Sequence, residues 1–237
     1  QSHRSEVYLS TKYSPGDTPD KLMHDFETSL KRFRTDYVDV ANMHGLGSLD
    51  DVELMFSSGA LETLVKLKEQ GVVKYIGMTS HNHPPATVEA VKRFDFDVAL
   101  MAANASKVPF FGEFDTQVDA SFEDTALPLA LEKGMGVWAF KVTGQRRLIR
   151  KKDEQDKAPG SELIRYALSL PVHGIVLGMS TPEHVESAAA LAAGFTPMTR
   201  EEMLHWNDCL AESANQMALD YMRRDYLDDG GYRAHLA

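Results

Sequence analysis

Residues 36–47 read DYVDVANMHGLG, and the reading of this stretch decides the fold. Tyr37 to Met43 form a short, mostly apolar run of the kind that fills a buried strand. The run ends on an imidazole, His44, and two of the next three residues, Gly45 and Gly47, are glycines. A core strand that carries a chemically capable residue at its carboxyl tip belongs to an open parallel sheet or to a barrel, because ligands gather at that edge in both.

Outward from this stretch the same unit recurs. Strands are predicted over 6–12, 37–44, 73–80, 96–104, 135–144 and 173–180. Helices are predicted over 18–33, 59–71, 85–94, 122–134, 160–170 and 182–193. The first helix shows the logic. Thr18 caps it, Pro19 suits its first turn, and Leu22, Met23, Phe26, Leu30 and Phe33 repeat at helical spacing. Strict alternation of strand and helix means a parallel sheet with helical crossovers. A doubly wound sheet and a (β/α)8 barrel both satisfy it, and no GxGxxG follows the first strand to favour the former. The breaks at 45–58 and 105–121 read as loops. Residues 199–226 read as one or two further helices. The expected division is a six-unit barrel portion over 1–198 and a carboxyl-terminal helical extension and tail over 199–237.

Composition narrows the partners. The formal net charge of the 237 residues is −10, with 25 Lys and Arg against 35 Asp and Glu, which argues against nucleic acid or an anionic membrane surface. The single cysteine, Cys209, excludes an internal disulfide and a thiolate zinc cluster, and fits a cytoplasmic location. No apolar run has membrane-spanning length. No His, Asp and Glu grouping has metal-ligand spacing, so no metal is expected.

Lys12, His44, Thr79, Ser80, Asn104, Lys141 and Ser180 all fall at or just past strand carboxyl ends. Singly, each has an ordinary reading: a strand-end lysine snorkels at the surface, and Thr and Ser cap loops. Together they trace one edge. The segments VYLSTK, SLKRFRTDYVDVANMHG and GALETLVKLKEQGVVKYIGMTSH, followed by FDVALMAAN, LPLALEKGMGVWAFKV, IRYALSLPV and VLGMSTPEHVESAAAL, resemble the aldo-keto reductases over about residues 5–202. The likeness is nearest to the bacterial branch with a Thr-x-His loop after the YIG strand.

The resemblance implies a (β/α)8 barrel of which these are strands three to eight, and reduction of an aldehyde or ketone with NADP(H) or NAD(H). It assigns Lys12 and His44 to the catalytic set. Lys12 would lower the pKa of a catalytic tyrosine, and His44 would hydrogen-bond the carbonyl oxygen. That tyrosine and an aspartate would sit on two preceding strands, so the chain reads as truncated and inactive by itself. Tyr13 alternates to the far side of the first strand. Tyr8 is about 13 Å from Lys12 along the strand.

The resemblance also assigns cofactor contacts. Thr79, Ser80 and Asn104 would meet the carboxamide. Lys141 and Gly144 in KVTGQ, with Gly178, Ser180, Thr181 and His184 in GMSTPEH, would receive the diphosphate at a helix amino terminus. Arg146, Arg147, Arg150, Lys151 and Lys152 read as a solvated run or as part of a lid. Ser187 and Ala188 stand where the family usually has Glu-Asn, which leaves NADPH against NADH open. A non-catalytic nucleotide-binding member and a lyase forming a Schiff base on Lys12 remain as alternatives. Six strands leave two free edges, so self-association is expected alongside the small carbonyl substrate.

Overall fold

The computed structural model describes residues 3–107, 121–150 and 157–211, with the backbone of two short strands at 110–111 and 117–118. Two compact units emerge: Gln1–Leu100 with Pro128–Gly136, and Met101–Leu127 with Val137–Ala237.

In the first unit, β1 (Ser10–Tyr13), β2 (Val38–Met43) and β3 (Val73–Ser80) pair in parallel. Helices α1 (Pro19–Phe33), α2 (Leu49–Ser57), α3 (Ala60–Glu69) and α4 (Pro84–Arg93) form the connections, and β4 begins at Val98. In α1 the Thr18 hydroxyl accepts from Lys21 N–H, and Leu22 and Phe26 are almost wholly buried. Burial of side chains of this size contributes about 1.5–3 kcal/mol each. The helix stops at Arg34, whose left-handed backbone (φ 56°) lets its N–H close onto Leu30 and Lys31 carbonyls.

Helix α2 lies in a segment expected to be a loop. Its sequence signal is the cap: Ser48 Oγ accepts from Asp51 N–H, and Val52 and Met55 then fall on a buried face.

Register sets what shares a face. Ser10, Val40 and Tyr75 lie level, as do Lys12, Asn42 and Gly77, and alternation puts all six on one side of the sheet. Asn42 is fully buried, and its Nδ2 donates to Ser10 Oγ and the Thr11 carbonyl. The opposite face carries Tyr13, Ala41, Met43, Ile76 and Met78, all buried in the core.

At the amino-terminal edge, Asp39 is 2% exposed and accepts from Arg4, Lys74 and Leu9 N–H at 2.8–2.9 Å. Burial opposes its ionisation. The Lys74 ammonium, the Leu9 amide and the Arg4 guanidinium together more than offset that, and hold its carboxyl below the usual range. Arg4 and Lys74 also lie over the Tyr37 ring, at 3.8 and 4.4 Å.

The second unit contains a π-helical turn (Phe122–Ala126), the body of β7 (Gly136–Phe140), α6 (Gly160–Ser169), β8 (Gly174–Ile175), α7 (Pro182–Ala193) and α8 (Arg200–Leu210). The turn runs directly into α5 (Leu127–Glu132), and β4 (Val98–Ala102) ends here. Residues Phe110–Phe111 (β5) and Gln117–Val118 (β6) make a small antiparallel pair. Strand β8 pairs in parallel with β7, Trp138 level with Gly174, but spans two residues where 173–180 was expected. Within the first unit the strands order β1-β2-β3, and within the second β7 lies beside β8.

Helix α8 begins just past the expected boundary at 198. Helix α8, closed by a capping box of Thr199 and Glu202, shares its unit with α6 through Arg165–Glu202 and through Asn207, which donates to Tyr166 Oη and the Ala105 carbonyl. The rest of the expected extension lies outside the described residues. Among the described residues no helix is long and apolar enough to cross a membrane.

Gly77 tests this register. A Cβ there would stand 2.1 Å from Asn42 Oδ1. Gly77→Ala is expected to cost about 2 kcal/mol or more in urea unfolding. Asn42→Ala/Gly77→Ala should cost less than the sum of the two single changes, and simple additivity would refute the contact.

Candidate functional site

The first unit collects Lys12, His44, Thr79 and Ser80 at one edge, because β1, β2 and β3 run parallel and each ends there. Lys12 is exposed and lies level with Asn42, one residue before the end of β1. His44 follows β2, half-buried, and its N–H donates to the Tyr13 carbonyl at 2.8 Å. Tyr13 is on the other face: it is 4% exposed, its ring is 6.3 Å from that of Phe26, and burial pushes its hydroxyl up. It does not serve Lys12. Tyr8, expected on Lys12's side, precedes β1 and is 83% exposed.

Thr79 and Ser80 are almost wholly buried, and their polar atoms have protein partners. Thr79 Oγ1 accepts from Gly45 N–H at 2.8 Å, and Ser80 Oγ donates to the Leu46 carbonyl at 2.7 Å. His81, 6% exposed, sets its ring 5.9 Å from that of His44 at 63°, edge to face. Two residues on, His83 Nδ1 caps α4 by accepting from Ala86 N–H. Burial lowers the His83 pKa to about 4, against the pull of the Asp51 carboxylate. The sequence reading uses His81 only as the last residue of the Thr-x-His loop and gives His83 no role. The available signal was the histidine density of HNH directly after a strand.

The second unit holds the other predicted contacts. Asn104 is 3% exposed and internally engaged: Ser106 N–H and Oγ donate to its Oδ1, and its Nδ2 donates to the Lys141 carbonyl. Its N–H donates to Glu123 Oε1 at 2.9 Å. Burial pushes the Glu123 carboxyl up to about 7, opposed by the Lys107 ammonium and the Asn104 amide. Burial and the charge of Glu123 together raise the Tyr166 hydroxyl. Nothing in the local sequence marks Glu123, since its surroundings come from distant segments.

Lys141 has φ 57° and Gly144 φ 54°, and Gly144 N–H closes a turn onto the Lys141 carbonyl. Gly178, Ser180, Thr181 and His184 are exposed where β8 leads into α7. Thr181 Oγ1 caps α7 by accepting from His184 N–H, and His184 Nδ1 lies 3.5 Å from Ser180 Oγ. Arg146, Arg147 and Arg150 are exposed, and Lys151 and Lys152 lie outside the described residues.

The exposed amino terminus of α7, with Ser180, Thr181 and His184, suits an anionic diphosphate. Of the groups expected at the carboxamide, Thr79 and Ser80 in the first unit and Asn104 in the second each have hydrogen-bond partners within the protein. Among the described residues no group of three potential metal ligands forms.

Residues 1–165 match the profile of the Aldo/keto reductase family. The chain belongs to this family. Its members are in general oxidoreductases that use NAD(P)H. Among curated relatives, an L-galactose dehydrogenase from Arabidopsis thaliana is 24% identical over 212 residues, covering 80% of this chain and 65% of its own length. The methylglyoxal reductase DkgB of Salmonella typhi is 33% identical over 82 residues, 34% of this chain and 30% of that protein. The chain thus spans under two thirds of these relatives. Among solved structures, the holo form of aldo-keto reductase AKR11C1 from Bacillus halodurans superposes with a TM-score of 0.65 at 22% identity, covering 87% of this chain and 73% of that one. The thermostable aldo-keto reductase Tm1743 gives 0.62 at 19% identity, covering 87% and 72%. These likenesses show the fold, an α/β architecture matching (β/α)8 barrels.

The Glu123 shift carries a sign. A carboxyl whose folded pKa is raised from 4.5 to about 7 contributes stability below pH 4.5 that is lost as pH rises through 7. Glu123→Gln removes this dependence. Relative to the parent it should be more stable at pH 8 than at pH 4.5, by on the order of 2–3 kcal/mol in urea unfolding. An unchanged difference between the two pH values would contradict the assignment.

Proposed function

We propose that the protein to which this chain belongs is an NAD(P)H-dependent reductase of an aldehyde or ketone. The observation that carries this reading is the convergence of Lys12 and His44 at one edge of three parallel strands, in a chain whose family is shown. The cofactor, when bound, supplies a hydride to the carbonyl carbon.

His44 acts on the other atom of that bond. An imidazole N–H directed at the carbonyl oxygen orients it and shares the charge that develops there. Lys12 places an ammonium two strand positions from the His44 level on the neighbouring strand, where it would favour the ionised form of an acidic hydroxyl brought against it. The tyrosine next in sequence, Tyr13, is turned away, so among the described residues the proton donor for the alkoxide is not at hand. Ser180, Thr181 and the first turn of α7 would hold the diphosphate by exposed N–H groups and hydroxyls.

The second reading, a member that binds nucleotide without turnover, is favoured for the isolated 237 residues by the same orientation of Tyr13. The two readings separate in one titration. NADPH fluorescence should change saturably on adding the chain, and steady oxidation with an aldehyde panel should be undetectable. Steady turnover would show a proton donor within these residues, and absence of any NADPH binding would sink the cofactor reading.

A substitution localises the contact. Ser180→Asp sets a carboxylate at the α7 amino terminus, where it should weaken NADPH binding about tenfold or more by repelling the diphosphate. An unchanged affinity would place the diphosphate elsewhere. Among the described residues of the first unit β1 pairs only with β2, and this edge is expected to make the chain self-associate, seen as species heavier than a monomer by light scattering.

A further inference from the structure

The segment after β2 is short and glycine-rich, a composition that ordinarily leaves a loop mobile. Here its amides are held. Four consecutive amides, from His44 to Gly47, each donate to a fixed acceptor. His44 N–H goes to the Tyr13 carbonyl, Gly45 N–H to Thr79 Oγ1, Leu46 N–H to the Thr79 carbonyl, and Gly47 N–H to Asp51 Oδ2, at 2.8–2.9 Å. The Ser80 hydroxyl then donates to the Leu46 carbonyl at 2.7 Å, and the Leu46 side chain is 0% exposed. Gly45 at φ 70° makes the turn that brings its amide to Thr79.

We propose that Thr79 and Ser80 are positioning residues for His44, which hold the imidazole in place through the loop that carries it. This rests on the reading of His44 as the group facing the carbonyl oxygen. The register explains why two adjacent hydroxyls are needed. Met43 is level with Met78, so His44 and Thr79 come level on one face, while Ser80 points to the other. Thr79 therefore grips the loop from the side on which His44 acts, and Ser80 grips it from behind. His81 follows directly and lays its ring against that of His44, walling one side of it.

A direct ligand contact is the competing role for this pair, and the geometry opposes it. Ser80 has one hydroxyl proton and donates it to Leu46, and Thr79 and Ser80 are 1% and 0% exposed. A ligand reaching either hydroxyl would first have to open the loop. An imidazole that must meet a carbonyl oxygen within a few tenths of an ångström gains from a support of this kind.

The test uses the 237-residue chain with its histidine rings observed by NMR. Thr79→Val removes the acceptor of the Gly45 amide. Exchange of that amide should rise about tenfold, the loss of one hydrogen bond. The His44 ring resonances should shift, and the His44–His81 ring cross-peak should weaken. Thr79→Ser, which restores the hydroxyl without the methyl, should return all three signals to the parent values. Ser80→Ala should displace the His44 ring signals by the independent route through Leu46. The proposal is overturned if both variants keep protected strand amides while the His44 and Gly45 signals stay unchanged. It is equally overturned if Thr79→Ser fails to rescue, since packing of the methyl group would then be the cause. Neither cofactor nor turnover enters these readouts, so the proposal can fail while the reductase reading stands, and the reverse.

Discussion

Parallel pairing of β1, β2 and β3 in one register is the constraint on which the rest of the structure depends. Parallel strands end at one edge, so whatever residues terminate them become neighbours regardless of their separation in sequence. The register here is held by a polar contact in an unusual place. Asn42, buried in mid-strand, fills the space left by Gly77 on one side and bonds Ser10 and the Thr11 carbonyl on the other. A slip of one residue would turn Lys12 into the core and Tyr13 out of it, so the register and the position of the ammonium are the same fact.

The two ends of these strands are built differently. At the amino-terminal edge Asp39, Arg4, Lys74 and Tyr37 form a charged cluster whose bonds are satisfied within the protein, and that cluster fastens the start of the chain to the sheet. At the carboxyl edge, buried hydroxyls and carbonyls are directed to the loop that carries His44. Stability is concentrated at one edge and positioning at the other, the division expected of a βα architecture.

Much of this was legible in the sequence, and the exceptions share a cause. Periodicity and caps located α1, β2, β3 and α7 closely, because each depends on local spacing and on Thr18, Thr181 or a bounding glycine. Strand β8 shrank to two residues because its apolar run, unlike β2, has a neighbour in register only at Gly174 and Ile175. Helix α2 was hidden by the glycines before it, although Ser48 and Asp51 spelled its start. Placement of Lys12 and His44 at strand tips could be read from the strands alone. What Thr79, Ser80 and Asn104 do with their polar groups could not, because Thr79 and Ser80 bond segments 34 residues away and Asn104, besides Ser106 nearby, bonds the Lys141 carbonyl 37 residues away. Family likeness marked their positions, and the fold shows the protein groups that they bond.

The central claim is that the Lys12 and His44 side chains meet at one edge of the sheet. A spin label on Lys12→Cys, in a Cys209→Ser background that leaves a single thiol, tests it most directly by NMR line broadening. The account predicts strong broadening of the His44 ring protons and the Gly45 amide, with the Tyr37 ring at the opposite edge less affected. Broadening of Tyr37 with His44 spared would contradict it.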